Sequence, residues 1–133
     1  MPKKTTSSKL PKILIIEDDA FLRDLATNKL KREGFAVFGV SDSIKGFETL
    51  KKESIDLILL DIILPGIDGF EILRRVKTDE NFKHIPVILL SNLGQKSDID
   101  RGLSLGAAGY MVKAHHTLDE IIEKIKNTLK KKS

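Results

Sequence analysis

The chain has 133 residues, of which 41% are hydrophobic and 32% are charged, and it contains no cysteine. This size suits one domain with its own core, and the lack of cysteine excludes disulfides and thiol chemistry. No apolar stretch approaches the roughly 20 residues of a membrane span, and the N-terminus lacks the apolar region of a signal peptide. We therefore expect a cytoplasmic protein without membrane contact.

The net charge of +4 arises at the two ends of the chain. Four lysines without an acidic residue precede residue 13, and three more lie near the C-terminus. Of 23 Lys+Arg, 16 remain when these seven are removed, against 19 Asp+Glu, so the body of the chain carries −3. Basic ends of this length are typical of solvated termini, so nucleic acid is not an expected partner. The predicted division is a flexible basic tail over residues 1–11, one domain over residues 12–130 and a basic tail over residues 131–133, with no output domain.

Five apolar runs alternate with five segments of helical period. In chain order, the apolar runs are Ile13–Ile16, Ala36–Val40, Ile55–Leu60, Val87–Leu90 and Tyr110–Val112. The helical segments are Phe21–Arg32, Ser43–Lys52, a segment after Asp68, Ser97–Leu105 and a segment after Thr117. Short β-rich runs closed by polar residues are typical of buried parallel strands. This (βα)5 alternation predicts an α/β fold with one parallel sheet and helices on both of its faces.

Local signals mark where several of the predicted helices begin and end. Asp19 can cap the first helix, and Gly34 is a plausible stop for it. Asp68, with Glu71 three residues later, can cap the third helix, and Thr117–Glu120 forms a capping box before the fifth. These boundaries support the order of elements that the apolar runs predict.

Acidic residues directly follow two of the predicted strands. Glu17 and Asp18 come after the first strand, and Asp61 comes after the third. Ligands of an open α/β sheet bind outside the carboxyl ends of its strands, so these carboxylates converge if the two strands are neighbours. Crowded like charges are costly unless a cation or protons compensate them, and oxygen ligands suit a hard ion such as Mg²⁺. The sequence therefore predicts a site for a metal ion and a phosphate group.

Four motifs stand in order along the chain: ILIIEDD at 13–19, DIILPGIDG at 61–69, PVILLS at 86–91 and GAAGYMVK at 106–113. With these motifs the chain resembles the receiver domain of bacterial two-component response regulators over nearly its whole length. The resemblance implies a CheY-like, flavodoxin-like, doubly wound sheet with strand order 2-1-3-4-5. It also implies a phosphoprotein of phosphorelay signal transduction.

The resemblance assigns Asp61 as the residue that accepts a phosphoryl group. A carboxylate at a strand end is a competent nucleophile once its target phosphorus is held in line. By the same resemblance, Mg²⁺ is held by Asp61, by Asp18 directly, by Glu17 through a water molecule and by the backbone carbonyl of Ile63, and Mn²⁺ can substitute. The ion would neutralise charge on the incoming phosphoryl group.

Lys113, Ser91 and Tyr110 complete the predicted site. The flexible ammonium group of Lys113 can reach the acceptor carboxylate and then the phosphoryl oxygens, and the Ser91 hydroxyl can donate to a phosphoryl oxygen. The resemblance makes Tyr110 the aromatic side chain that moves inward on activation. Two alternatives stay open, namely Ser91 as a simple turn residue and Tyr110 as a partly buried structural residue.

The resemblance implies a signalling switch that catalyses its own phosphorylation and its own slow dephosphorylation. The expected donor is a sensor histidine kinase or a histidine phosphotransfer protein. The expected target is a protein that binds the surface of the fourth helix, fifth strand and fifth helix, and phosphorylation could also produce a homodimer. The alternatives are a phosphorelay intermediate that passes phosphate to a histidine phosphotransfer protein, and a receiver-like interaction module that is not phosphorylated. A phosphate hydrolase would need a second acid where Ile63 stands.

Several positions depart from the pattern of the family. Ala114 replaces the proline that usually follows the lysine, and a cis bond without proline costs about 2.5–4 kcal/mol, so this peptide is either trans with a shifted loop or strained. Asn92 replaces a small residue, which would narrow access to the site. Ile63 and Leu93 are apolar residues at the expected mouth of the site. Because they cannot orient an attacking water, they predict a long-lived phosphoryl state.

Overall fold

The computed structural model describes residues 10–132, so the predicted N-terminal tail, apart from residues 10 and 11, lies outside the described residues. The strands are β1 (Lys12–Ile16), β2 (Ala36–Val40), β3 (Leu57–Leu60), β4 (Val87–Ser91) and β5 (Gly109–Val112). The helices are α1 (Ala20–Arg32), α2 (Ser43–Lys52), α3 (Gly69–Thr78), α4 (Lys96–Ser104) and α5 (Leu118–Lys132). A short 3-10 turn, Lys113–His115, joins β5 to α5.

The strands form one parallel sheet in the order β2-β1-β3-β4-β5, which confirms the predicted α/β architecture and strand order. At the carboxyl edge, Ile16 of β1 pairs with Leu60 of β3, and Leu60 pairs with Leu89 of β4. The residues that follow β1 and β3 therefore emerge side by side at the same edge of the sheet.

Two apolar layers cover the two faces of the sheet, because side chains of a strand point alternately to opposite faces. Leu14 and Ile16 of β1 join the layer under α2 and α3, while Ile13 and Ile15 join the layer under α1 and α5. The second layer includes buried side chains of both its helices, namely Ala26, Leu30, Ile121, Ile122 and Ile125. The prediction of helices on both faces is confirmed.

Four of the five helices in the described residues begin with a side-chain cap. The first three begin with an aspartate that accepts a backbone N–H three residues later: Asp19 for α1, Asp42 for α2 and Asp68 for α3. For α5, the Thr117 hydroxyl accepts the N–H of Glu120, whose carboxylate accepts the N–H of Thr117, so the predicted capping box is present. At the start of α4, Gln95 makes no such bond.

The structure corrects several predicted boundaries. Strand β3 begins at Leu57 rather than at Ile55, because the Ile55 N–H still donates to the Glu53 carbonyl in the turn that follows α2. Helix α4 begins and ends one residue earlier than predicted. Helix α5 ends at Lys132. None of the helices in residues 10–132 has the length and apolar character needed to cross a membrane.

Candidate functional site

The carboxyl ends of β1 and β3 bring three carboxylates together. Glu17 and Asp18 follow β1, and Asp61 follows β3. One carboxylate oxygen from each of the three lies within 4.8 Å of the others. Glu17 and Asp61 are only 4% and 5% exposed, whereas Asp18 is exposed to solvent. Within residues 10–132, no other group of three or more such side chains could hold a metal ion.

Lys113 lies between the two buried carboxylates. Its Nζ is 2.8 Å from Glu17 Oε1 and 3.1 Å from Asp61 Oδ2. Burial opposes the charge of this amine, but the hydrogen bond to Glu17 and the charge of Asp61 outweigh burial and raise the pKa of Lys113 above its ordinary value. The described residues contain no cis peptide bond, so the Lys113–Ala114 peptide is trans, and Lys113 still reaches the site.

Glu17 is fixed at both its backbone and its side chain. Its N–H donates to the Val40 carbonyl at 3.0 Å, and its Oε2 accepts the N–H of Asp19 at 3.1 Å. Burial raises the pKa of Glu17, although the hydrogen bonds from Lys113 and Asp19 act in the opposite direction. Glu17 is therefore a buried carboxylate whose charge is favoured by the adjacent Lys113 amine and opposed by burial.

The Asp61 carboxylate is held by the loop that follows it. Its Oδ1 accepts the N–H of Ile62 at 2.7 Å and that of Ile63 at 3.4 Å. Helix α3 begins against this loop, since the Gly69 N–H donates to the Ile62 carbonyl at 2.8 Å. A Cβ atom on Gly69 would lie 2.6 Å from Ile62 Cα and would also contact the Asp61 carbonyl oxygen. Only glycine therefore lets α3 start so close to the predicted acceptor.

Ser91 and Tyr110 meet through one residue, Leu93. The Ser91 hydroxyl, at the buried end of β4, accepts the N–H of Leu93 at 3.3 Å. The Tyr110 hydroxyl donates to the Leu93 carbonyl at 2.5 Å. Burial, with the charges of Asp98 and Asp61, raises the pKa of Tyr110, so its hydroxyl stays a donor at neutral pH. Within the described residues, Ser91 makes no hydrogen bond to Asp61. Ser91 and Tyr110 are therefore not linked to the carboxylates by a direct hydrogen bond.

Two of the departures from the family pattern differ in where their side chains lie. Ile63 is 59% exposed directly beside Asp61, as expected for a residue at the mouth of the site. Leu93 is half-buried and packs against the core layer under α2 and α3, which was not expected. Asn92 is exposed. Of Ile63 and Leu93, only Ile63 presents a largely exposed apolar side chain.

Sequence reasoning missed Arg23, which lies one turn into α1. Its Nη1 donates to the Glu17 carbonyl at 2.7 Å. The sequence offers little signal for this contact, because Arg23 belongs to none of the four motifs and looks like any other charged residue of an amphipathic helix. The role of the Leu93 peptide was missed for the same reason, since backbone hydrogen bonds leave no mark on residue type.

The donor set fits a hard divalent cation. All side-chain ligands are carboxylate oxygens, two of them are buried, and the third is open to solvent. Mg²⁺ prefers oxygen ligands and keeps several of its waters, which suits three carboxylates at a solvent-facing sheet edge. Lys113 supplies the positive charge that these carboxylates require when no ion neutralises them.

The chain matches the sequence model of the response regulator receiver domain over residues 13–126. It is 37% identical over 120 residues to the regulatory protein VanRc of Enterococcus gallinarum, and 36% identical over 123 residues to the sporulation initiation phosphotransferase F of Bacillus subtilis. These alignments cover 90% and 92% of this chain. The chain belongs to the response regulator receiver domain family, as the four motifs predict, and neither alternative function is favoured.

The relatives differ in length. The chain spans 50% of VanRc but 96% of phosphotransferase F. It also spans 50% of a relative from Synechocystis that is named as a DNA-binding dual master transcriptional regulator, RpaA, with 36% identity over 122 residues. The predicted domain limits and the predicted lack of a nucleic acid partner therefore stay predictions.

Solved structures share the fold. A CheY-like receiver domain protein from Methanospirillum hungatei superposes with a TM-score of 0.85 at 27% identity, covering 93% of this chain and 97% of that one. The receiver domain of RstA from Klebsiella pneumoniae gives a TM-score of 0.80 at 27% identity, covering 89% and 97%. The predicted CheY-like, flavodoxin-like architecture is confirmed.

Proposed function

We propose that Asp61 accepts a phosphoryl group in a Mg²⁺-dependent reaction, and that the phosphorylated domain presents a changed surface to a protein partner. The observation that carries this proposal is the position of Lys113. Its amine contacts both Asp61 and Glu17 at a sheet edge where three carboxylate oxygens lie within 4.8 Å of one another. A solvated strand-end aspartate would have neither the burial nor these neighbours.

In the proposed reaction, a carboxylate oxygen of Asp61 attacks the phosphorus of a phosphohistidine, the phosphorus–nitrogen bond breaks, and an acyl phosphate remains on Asp61. Glu17, Asp18, Asp61 and the backbone carbonyl of Ile63 would hold Mg²⁺, with Mn²⁺ as a substitute. When bound, the ion neutralises charge on the transferred group. Lys113 is already 3.1 Å from the acceptor carboxylate, so its amine can follow the charge onto the phosphoryl oxygens.

The response to phosphorylation would run through Ser91, Leu93 and Tyr110. A phosphoryl group adds about −1.5 to −2 charges and three acceptor oxygens. If the Ser91 side chain rotates about χ1 so that its hydroxyl donates to one of these oxygens, Oγ moves away from the Leu93 N–H, and the Leu93 carbonyl that accepts from Tyr110 is free to move. The surface of α4, β5 and α5 then shifts between two states whose populations the phosphoryl group biases.

The proposed donor is a sensor histidine kinase or a histidine phosphotransfer protein, and cytoplasmic residence, typical of the family, is part of the proposal. Three large apolar side chains are exposed on α1 and on the loop after β3, the elements that follow the acidic residues, and they suit a protein donor. Phe21 and Leu25, one turn apart on α1, are 78% and 44% exposed, and Ile63 is 59% exposed. A downstream protein target, and a homodimer after phosphorylation, complete the proposed partners.

The test is labelling with acetyl phosphate and MgCl2, read by intact mass and then by peptide mapping. We expect one phosphoryl group on Asp61, no label without divalent ion, and no label on Asp61→Asn. The matched control is Asp24→Asn, an exposed aspartate of α1 that should leave labelling unchanged. Label that persists on Asp61→Asn would place the acceptor elsewhere and refute the proposal.

A further inference from the structure

Arg23 binds the backbone of the segment after β1, which carries Glu17 and Asp18. Its Nη1 donates to the carbonyl oxygen of Glu17 at 2.7 Å, while the N–H of Glu17 donates to the Val40 carbonyl at 3.0 Å. The backbone of Glu17 is therefore tied on one side to α1 and on the other to β2. Arg23 also lines, with Glu17 and Asp61, a small cavity beside the site.

The carbonyl that Arg23 holds belongs to the peptide bond between Glu17 and Asp18. Asp18 is exposed, and within residues 10–132 its carboxylate makes no hydrogen bond or ion pair. The position of its Cα, from which the side chain projects, is therefore set by the backbone with no help from side-chain contacts. Since a peptide is planar, a contact that fixes the Glu17 carbonyl also fixes the N–H and the Cα of Asp18. Arg23 thus helps to place the backbone from which the one exposed acid of the cluster projects.

Space for the arginine stem comes from a glycine in the edge strand. A Cβ atom on Gly39 of β2 would lie 3.2 Å from Arg23 Cγ and 3.1 Å from Thr27 Oγ1. Such distances are tighter than ordinary van der Waals contact, so a methyl group here would require Arg23 and Thr27 to shift by a few tenths of an ångström. The absence of a side chain on Gly39 therefore leaves room between α1 and β2 for the stem of Arg23.

We propose that Arg23 is a positioning residue for the cation site, which it serves by holding the Glu17–Asp18 peptide so that the Asp18 carboxylate faces the other two acids. This inference rests on the proposed function, because it assigns a role in binding the divalent ion. The guanidinium donates to a carbonyl and not to a carboxylate, so it orders the acids without neutralising any of them. Groups that orient metal ligands from behind commonly change metal affinity when they are removed.

The test is calorimetric titration of the whole chain with MgCl2, with urea unfolding of the metal-free protein measured in parallel. Arg23→Met keeps an unbranched stem beside Gly39 and removes the donors, and we expect its Kd for Mg²⁺ to rise by about 10-fold. Arg23→Lys retains one donor nitrogen and the positive charge, so this variant should bind Mg²⁺ with an intermediate Kd. Arg32→Met is the matched control, since it removes the same charge from an exposed position at the end of α1 and should leave the Kd unchanged.

A second variant approaches the same contact from the other strand. Gly39→Ala requires the arginine stem to shift by a few tenths of an ångström without any change of charge. It should therefore weaken Mg²⁺ binding in the wild-type background and have no further effect on Mg²⁺ binding in the Arg23→Met background. Unchanged or tighter binding by Arg23→Met would overturn the inference, since it would show that the guanidinium only repels the ion. If the wild-type chain itself fails to bind Mg²⁺, the proposed function fails instead.

Discussion

The carboxyl edge of the sheet has two halves that are built in different ways. The acidic half, at the ends of β1 and β3, consists of Glu17, Asp18 and Asp61, and two of these carboxylates are buried and share the amine of Lys113. The hydroxyl half consists of Ser91 at the end of β4, Leu93 in the loop that follows it and Tyr110 of β5, and it is joined by neutral hydrogen bonds to the backbone N–H and carbonyl of Leu93. The first half is fixed by charge, while the second is fixed by single hydroxyl contacts.

The helices beside the two halves differ in the same direction. Helices α1 and α3, which flank the acidic half, each begin with an aspartate cap and bury apolar side chains. Helix α4, which follows β4, has no side-chain cap, and Gly102 is its only buried residue. Segments with few buried contacts and weak caps open at low free-energy cost. The half that would bind is therefore preorganised, and the half that would respond is free to rearrange.

The largest effect should come from filling the space at the start of α3. Gly69→Ala forces a methyl group against the backbone of Asp61 and Ile62, so we expect the free energy of unfolding to fall by at least about 3 kcal/mol. Gly94→Ala is the matched change beside the hydroxyl half, where the nearest atom, Val112 Cγ1, is 3.4 Å away. Urea unfolding followed by circular dichroism measures both losses of stability. Equal losses would show that the two halves tolerate an added methyl group equally well.

Removing the amine between the carboxylates should destabilise the metal-free protein and change its pH dependence. Lys113→Met leaves Glu17 and Asp61 buried without their cation, and breaking a buried ion pair in this way costs about 3 kcal/mol. Burial raises the pKa of Glu17 in the folded state, so the folded chain binds the Glu17 proton more tightly than the unfolded chain does. Stability from this group is present at low pH and is lost as pH rises through the folded pKa.

We therefore expect the difference in the free energy of unfolding between wild type and Lys113→Met to shrink as pH is lowered from 7 toward 5. The control is Lys96→Met, which breaks an exposed i,i+4 pair with Asp100 on α4 and should cost at most about 1 kcal/mol at every pH, as exposed pairs do. A deficit that grows on acidification would contradict the assigned environment of Glu17.

The phosphoryl group should leave slowly, and Ile63 should be the reason. Ile63→Asn places a group that can orient water beside Asp61, so we expect faster loss of phosphate from the isolated phosphoprotein in MgCl2. Leu93→Asn should act less on this rate, because Leu93 packs against the core. Phosphate release followed over time measures both. A half-life of seconds for the wild type would refute the prediction of a long-lived state.

The smallest effect should come from the hydroxyl half itself. Tyr110→Phe removes the hydrogen bond to the Leu93 carbonyl, and we expect a loss of about 1 kcal/mol in the free energy of unfolding. Urea unfolding at neutral pH measures this loss. A loss as large as that of Lys113→Met would show that the two halves are held equally tightly.

Much of the fold could be predicted because its signals are local. The apolar runs placed all five strands, and Asp19, Asp68 and Thr117 marked helix starts that the structure confirms. Strand β3 was predicted two residues too long, because an apolar residue in a turn looks like strand. The acidic cluster was predictable since strand ends of a parallel sheet meet at one edge.

The remaining parts of the site depend on tertiary contacts that leave no pattern in the sequence. The bond from Arg23 to Glu17 and the approach of Gly69 to Asp61 depend on how two elements pack. The sequence also left open whether the peptide after Lys113 is trans with a shifted loop or strained, because proline is absent after it. The structure removes that doubt, since a 3-10 turn after β5 keeps the side chain at the site.

Tyr110 has one more consequence, which concerns light. It is the only tyrosine of the chain, and the chain has no tryptophan. The intrinsic ultraviolet emission is therefore dominated by a single chromophore. Its hydroxyl donates a hydrogen bond to the Leu93 carbonyl, which phosphorylation is proposed to release. A change in that emission on addition of acetyl phosphate would report the rearrangement in real time, in the native chain and without any attached dye.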